Sequence, residues 1–419
     1  ASYLVLDDGH EPQVGRYWDL RFVPDERRSE PDWLDGLRWH LEDAVRSHLV
    51  SDVPLGAFLS GGMDSSTVVA LMARMGGPVR TFSIGFDEAD FDELGHAREV
   101  ARRYGTDHYE LVVKPDALDV VPRLAWQFDE PFADASAVPT YYVSKITREH
   151  VTVALSGDGG DEVFAGYRRY AQAQALHDRF DRFPGVLLKP VLRGLAGLLP
   201  TGARGQGYLE LLGDDPVGRY FRLVTHQREA TLRRLLTPEA RVRIDPGVSP
   251  REFRRLAAEA QAPDYIATMQ YLDVHTYLPE DILTKVDRAS MLVSLEARVP
   301  LLDHPLMEFV ATMPTALKLR DGVGKPILRQ AMAADLPAAI LGRSKMGFGV
   351  PLGGWFRHEL ADYTHDTVLG PRARQRGIVD PRAVELLIEE HRAGDHDRSG
   401  QIWALLCLEQ WCRQWLDRR

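Results

Sequence analysis

Residues 54–75, PLGAFLSGGMDSSTVVALMARM, decide how this chain folds. Pro54–Ser60 is a short apolar run suited to a buried strand, and Ser65–Met75 carries apolar residues at helical spacing. Between them lies Ser60-Gly61-Gly62-Met63-Asp64-Ser65-Ser66. Two glycines let the backbone turn sharply and present bare N–H groups, and a helix opening there adds partial positive charge. The hydroxyls of Ser60, Ser65 and Ser66 can donate to phosphate oxygens. Asp64 would repel a phosphate, so its presence in such a loop calls for a bridging Mg2+. A glycine turn with a serine cap is the bland reading of such a string, but strand, loop and helix stand in the order a phosphate site needs. The loop lacks the GxxxxGK[ST] pattern of a Walker site.

Outward from this stretch, strand and helix alternate. Val79–Phe86 reads as a strand, Leu94–Tyr104 as a helix and Tyr109–Val113 as a strand. Ala137–Arg148 is a further helix and Val151–Leu155 a further buried strand. Helices of this length between strands imply a parallel sheet with helices on both faces. Upstream, Pro31–Leu49 has helical periodicity through Leu34, Leu37, Leu41 and Val45. The first residues suggest a β-hairpin, with YLVL, a DDG turn and a second extended piece around Arg16–Leu20. This hairpin reads either as the tail of something missing or as an arm packed on the body. Beyond about Tyr170 strand signals fade and helical segments dominate. The expected organisation is a connector over 1–30, an α/β nucleotide core over 31–170 and a mainly helical remainder over 171–419.

A second strand-to-loop junction lies in Val151–Tyr167, VTVALSGDGGDEVFAGY. Ser156 and Gly157 end the strand, and Asp158, Asp161 and Glu162 crowd a glycine-rich turn. Carboxylates this close repel one another unless a cation stands among them. In a parallel sheet both loops lie at the carboxyl ends of strands, where open α/β sheets bind ligands. Asp64 and Asp161 can therefore converge on Mg2+ carried by a pyrophosphate. Lys285 and Arg288, three apart on one helical face, can bind pyrophosphate or a carboxylate, or simply form structural ion pairs. Lys325 has the same two readings, and His108 and His275 read as structural.

The first loop resembles the SGGxDS pyrophosphate loop of enzymes that cleave ATP between its α- and β-phosphates. LSGGMDSS, DEPFADASAVPTYYVSK, LSGDGGDEVFAGYRRY, LPEDILTKVDRASMLVSLEARVPLLDHPL and RSKMGFGVPLGGWF, in this order, resemble the glutamine-hydrolysing asparagine synthetases of bacteria. That resemblance implies an adenine nucleotide α-hydrolase (Rossmann-like) fold with a helical C-terminal extension. It also implies ATP against Leu59 and the Ser60–Ser65 loop, including Gly61 and Gly62, with a backbone contact from Ile84 to adenine. Ser156 and Gly157 match further AMP contacts, and Asp64 and Asp161 match the magnesium ligands. Asp158 stands where some members carry Glu, a residue implicated in the chemistry. Lys345 matches a lysine that stabilises charge on the reacting phosphate and intermediate. The implied reaction adenylates a carboxylate, with aspartate as the default acid, and hands it to ammonia.

Bulk properties set the limits. A formal charge of -10 argues against a generic nucleic-acid surface, which needs clustered positive charge. No apolar run approaches the roughly 20 residues of a membrane span, and the opening ASYLVLDDGHEP lacks the pattern of a signal peptide, so the cytoplasm is the expected location. Cys407 and Cys412 sit at helical spacing among apolar residues and read as core thiols. Only seven lysines stand beside 44 arginines, and Lys285, Lys318, Lys325 and Lys345 share one stretch. A chain that prefers arginine can keep lysine where a compact point charge is needed.

Glutamine-dependent family members begin with a cysteine nucleophile on a separate glutaminase domain, and no cysteine precedes Cys407 here. The expectation is a synthetase unit without its own glutaminase, fed by free ammonia or by a separate glutaminase domain or subunit; a homodimer stays open. Two other readings remain at this point. One keeps adenylation but changes the acid or amine, as in relatives that form amides, β-lactams or lasso peptides. The other is an inactive partner or scaffold, which would be expected to have lost loop residues; none is lost.

Overall fold

Strands joined by helical crossovers return in the same direction, so the alternation over residues 54–155 can close only as a parallel sheet. The computed structural model describes residues 1–114, 119–181, 185–199, 205–225, 229–343 and 347–417. It begins with an antiparallel hairpin, β1 (Ser2–Val5) paired with β2 (Gln13–Arg16). The second strand thus ends where the sequence pattern suggested it would begin. Tyr3, Leu4 and Val14 of this hairpin remain exposed, and the anchor to the body comes afterwards, where Leu20 and Phe22 are buried.

Helix α1 (Glu30–His48) opens on a capping box in which Ser29 and Asp32 satisfy each other's backbone N–H groups. Its Leu37, Leu41 and Val45 are fully buried, as the periodicity requires. Then follow β3 (Leu55–Phe58), α2 (Met63–Arg74), β4 (Arg80–Phe86), α3 (Leu94–Tyr104) and β5 (Asp107–Val113). Next come α4 (Val121–Phe128), α5 (Ala137–Arg148), β6 (Val153–Leu155), the short α6 (Gly160–Val163) and α7 (Arg168–Phe180). The sheet order is β5-β4-β3-β6-β7, all parallel, with β7 (Glu296–Arg298) at the far edge.

Strand β7 corrects the expected division at residue 170. The α/β layer recruits its fifth strand from the later part of the chain, so 31–170 does not contain the whole core. Three residues, Glu-Ala-Arg, carry no apolar run, and edge pairing rather than local propensity makes them a strand. Arg298 pins this edge by donating to the carbonyls of His48 and Val50, both at 2.7 Å. The rest of residues 171–417 is mainly helical where described, as expected.

Helices cover both faces of the sheet. One core joins α1, α2 and α3 to the helix His304–Ala311, through Leu41, Val68, Val100 and Leu306. The other places Phe82, Val138 and Ala154 against the C-terminal helix Ser399–Trp415 through Trp403 and Leu406. Cys407 lies in that second core, where burial pushes its thiol pKa up, so it is a packing group rather than a nucleophile. None of the described helices is long and apolar enough to cross a membrane. Because the chain steps from β3 outward to β4 and β5, then back across to β6, the order reverses between β3 and β6. That reversal opens a crevice at the carboxyl ends of these two strands.

Replacing the fully buried Leu41 by Ala should lower stability by about 2–5 kcal/mol. Urea unfolding followed by circular dichroism measures this, and a loss below about 1 kcal/mol would remove α1 from the core.

Candidate active site

The turn after β3 is held by its own hydroxyls. Ser60 N–H donates to Ser65 Oγ at 3.2 Å, Gly62 N–H donates to Ser60 Oγ at 3.2 Å, and Ser65 Oγ donates to the Gly62 carbonyl at 3.2 Å. Gly61 adopts φ +71°, and a Cβ there would fall 2.6 Å from the backbone N of Ala97, on α3. The turn is therefore clamped between its own serines and the neighbouring helix. Helix α2 opens directly into a cavity of ≈ 600 Å³, with Gly62, Asp64 and Ser65 in its wall. First-turn N–H groups of a helix have no acceptor within it and suit an anion.

The turn after β6 locks onto the first one. Gly157 lies so close that a Cβ would meet Ser65 N at 2.5 Å, and one on Gly160 would meet Asp64 Oδ1 at 2.6 Å. Glycine is required here by close contact, with backbone at Gly157 and with the Asp64 carboxylate at Gly160, not by flexibility. Ser156 N–H donates to the Arg298 carbonyl at 2.7 Å, and its hydroxyl donates to Asp158 Oδ2 at 2.5 Å.

Between the two turns stands a lysine. Lys325 Nζ lies 2.6 Å from both Asp64 carboxylate oxygens and 2.6 Å from Asp161 Oδ1. All three side chains are nearly buried, and this cation offsets the two negative charges. Behind Asp161, burial and then the Asp161 charge push Glu162 up to about 7, and Tyr167 Oη donates to it at 2.7 Å.

A second buried cation forms the flank. Lys285 Nζ donates to Asp134 Oδ2 at 2.9 Å and to Ser136 Oγ at 2.8 Å. Burial pulls this ammonium down, but Asp134, Asp158 and Asp281 outweigh burial and leave its pKa raised. Burial and then Asp134 push Asp281 up to about 7.

The cavity wall collects Leu59, Ser60, Gly62, Asp64, Ser65, Ile84, Ser156, Gly157, Asp158, Asp161, Lys285 and Lys325 from the expected set. Gly61 shapes the turn without lining the wall. Arg288 departs from expectation: Lys285 points into the protein, whereas Arg288 is half-exposed outside the cavity with Asp287 at 4.0 Å. Ser66 is fully buried and does not reach the cavity. Lys345 lies outside the described residues. Sequence reasoning gave no role to Asp134, although it stands in the quoted DEPFADASAVP stretch, or to Arg343, which donates to the Gly61 carbonyl at 3.3 Å. His108 and His275 are structural as expected: His108 bonds Thr81 Oγ1 at 2.8 Å, and His275 bonds Asp19 Oδ1 at 2.9 Å.

Two interlocked strand-end turns, a pair of carboxylates and a nucleotide-sized cavity now stand together. The asparagine synthase family matches residues 36–413 of the chain. This chain belongs to the asparagine synthase family. Its parallel sheet and flanking helices are the adenine nucleotide α-hydrolase fold of that family. Asparagine synthetase (glutamine-hydrolyzing) 1 of Bacillus subtilis is 34% identical over 414 residues, which takes in 98% of this chain and 64% of that protein. A relative in Mycobacterium tuberculosis is 35% identical over 419 residues, 97% of this chain and 62% of its own length. A more distant relative, Amidase chry2 of Gibberella zeae, is 24% identical across 92% of this chain. The chain thus spans somewhat under two thirds of the length of these curated relatives.

The cavity is lined by Gly62 and Gly157, and glycine backbones of this kind leave room for phosphate oxygens to approach. Among the described residues no group of three or more His, Cys, Asp or Glu gathers as a metal cage. Mg2+ in nucleotide sites needs no such cage, since one or two carboxylates, phosphate oxygens and water suffice. Asp64 and Asp161 fit that donor set.

Lys285→Met leaves Asp134 buried against an acidic neighbour with no cation. A stability loss of roughly 3–5 kcal/mol is expected in urea unfolding. A loss indistinguishable from zero would show that the pair is not structural.

Proposed function

We propose that this chain is an ATP-dependent, AMP-forming amide ligase that adenylates a small carboxylic acid, aspartate by default, and transfers ammonia to it. The observation that carries this reading is the meeting of two strand-end turns, Gly157 against Ser65, with Asp64 and Asp161 converging on one cation. Such a site serves cleavage beside the α-phosphate, because the helix end receives the leaving pyrophosphate while the second turn stands beside the reacting centre.

In the first step a carboxylate oxygen attacks the α-phosphorus, an acyl–AMP anhydride forms, and the bond to pyrophosphate breaks. The N–H groups at the start of α2 receive the leaving group, in a turn that the Ser60 and Ser65 hydroxyls hold in shape. A Mg2+ held by Asp64 and Asp161 would offset the negative charge of pyrophosphate. In the second step ammonia attacks the acyl carbon, the C–O bond to AMP breaks, and one proton leaves the nitrogen. Asp158, which lines the cavity, is the base for that proton in this reading. Lys345 takes the charge-stabilising role that the family resemblance gives it. In this reading ammonia is the nitrogen donor, free or delivered by a glutaminase domain or subunit.

A second reading keeps adenylation and changes the acid. Relatives named amidases, at 24% and 26% identity over more than nine tenths of this chain, support it.

Pyrophosphate release from Mg–ATP, measured over a panel of acids with and without ammonium, tests both. Aspartate-dependent release supports the first reading, release with another acid alone supports the second, and none with any acid defeats the ligase. Asp64→Asn and Asp161→Asn should each lower release by at least about a hundredfold. Wild-type rates in these variants would remove the metal assignment.

A further inference from the structure

The Lys325 ammonium stands where Asp64 and Asp161 need a cation, and the surrounding chain is built to place it there. The ammonium donates to both Asp64 oxygens and forms an ion pair with Asp161 Oδ1, each at 2.6 Å. The residue holds φ 62° and ψ 32°, a left-handed conformation, immediately before Pro326. A non-glycine residue rarely adopts that conformation, and a following proline normally favours an extended one. Its backbone is fastened on both sides: Lys325 N–H donates to the Lys318 carbonyl at 2.8 Å, and Arg329 N–H donates to the Lys325 carbonyl at 3.0 Å. Gly166 leaves the room the side chain needs, since a Cβ there would fall 1.9 Å from Lys325 Cε. A strained backbone, two fastenings and a glycine opposite all serve one ammonium position.

Two cations cannot share these oxygens at such distances without strong repulsion. We propose that Lys325 is a resident counter-cation that fills the metal position of the nucleotide-free chain. A divalent ion then enters only together with the triphosphate, to whose oxygens the ammonium turns. Lys325 is thus a positioning residue. It holds Asp64 and Asp161 close before the nucleotide arrives, and it prevents a free divalent ion from occupying the site alone. The inference rests on the ligase reading for the role of the two aspartates, but its test requires neither nucleotide nor turnover.

The test is Mn2+ binding to the nucleotide-free 419-residue chain, read by the loss of the free-ion electron paramagnetic resonance signal. Lys325→Gln should bind Mn2+ at least about tenfold more tightly than the wild type, because a like charge has left the site. Adding Asp64→Asn to that variant should remove the gain. Circular dichroism confirms that each protein is folded, and Lys325→Met repeats the measurement if the glutamine variant does not fold. Equal affinity in the wild type and a folded Lys325 variant overturns the proposal, as does a gain that survives loss of Asp64. A failed ligase reading would instead appear as absent pyrophosphate release, independent of this titration.

Discussion

Two carboxylates from the ends of different strands face each other across a nearly dry crevice, and nothing at the site can be arranged until that repulsion is answered. Asp64 arrives on the first turn of α2 and Asp161 on α6, each fixed by its own loop. Close approach of the loops needs three positions without side chains: Gly157 against Ser65, Gly160 against Asp64 and Gly166 against Lys325. The lysine then converts a repulsive pair into a bridged one. Chain topology brings the strands together, glycine lets the loops touch, and the Lys325 ammonium offsets the repulsion between the acids.

Both turns were legible in the sequence because their chemistry is local. SGGMDSS and SGDGGDE state within seven residues that a backbone must turn sharply, accept an anion and reconcile several acids. The strand and helix order around them was legible for the same reason, since β4 is buried along nearly its whole length and α1 keeps its apolar stripe on one face. Lys325 was visible only as a lysine in an arginine-rich chain. Its contact with Asp64 spans 261 positions, and no periodicity announces a contact of that separation. Strand β7 escaped for a related reason, because Glu296–Arg298 becomes a strand only when β6 offers it an edge.

Helical spacing left two readings open for Lys285 and Arg288, ligand binding or ion pairs, and each forms an ion pair. Three positions apart, one enters the protein and the other stays in solvent. The difference lies in what surrounds each. Asp134 and Ser136 offer Lys285 two acceptors inside the fold, whereas among the described residues Arg288 pairs with its sequence neighbour Asp287. A buried ammonium is tolerated only where its partners are preassembled, and those come from a loop about 150 residues earlier.

The two lysines divide the electrostatics of the cavity between them. Lys325 answers the acids at the helix end, where phosphate charge must be accepted, and can give them up when a stronger cation arrives. Lys285 sits deeper, on the Asp134 side, where Asp281 is pushed up to about 7 and so is half neutral at that pH. Below neutral pH one ammonium, one ionised carboxylate and one largely protonated carboxyl balance on that flank, with Asp158 as a further acidic neighbour of the same lysine. The same residue type thus serves as an exchangeable counter-ion at one end of the site and as a permanent one at the other. What separates the roles is whether a phosphate can replace the carboxylates that the lysine holds.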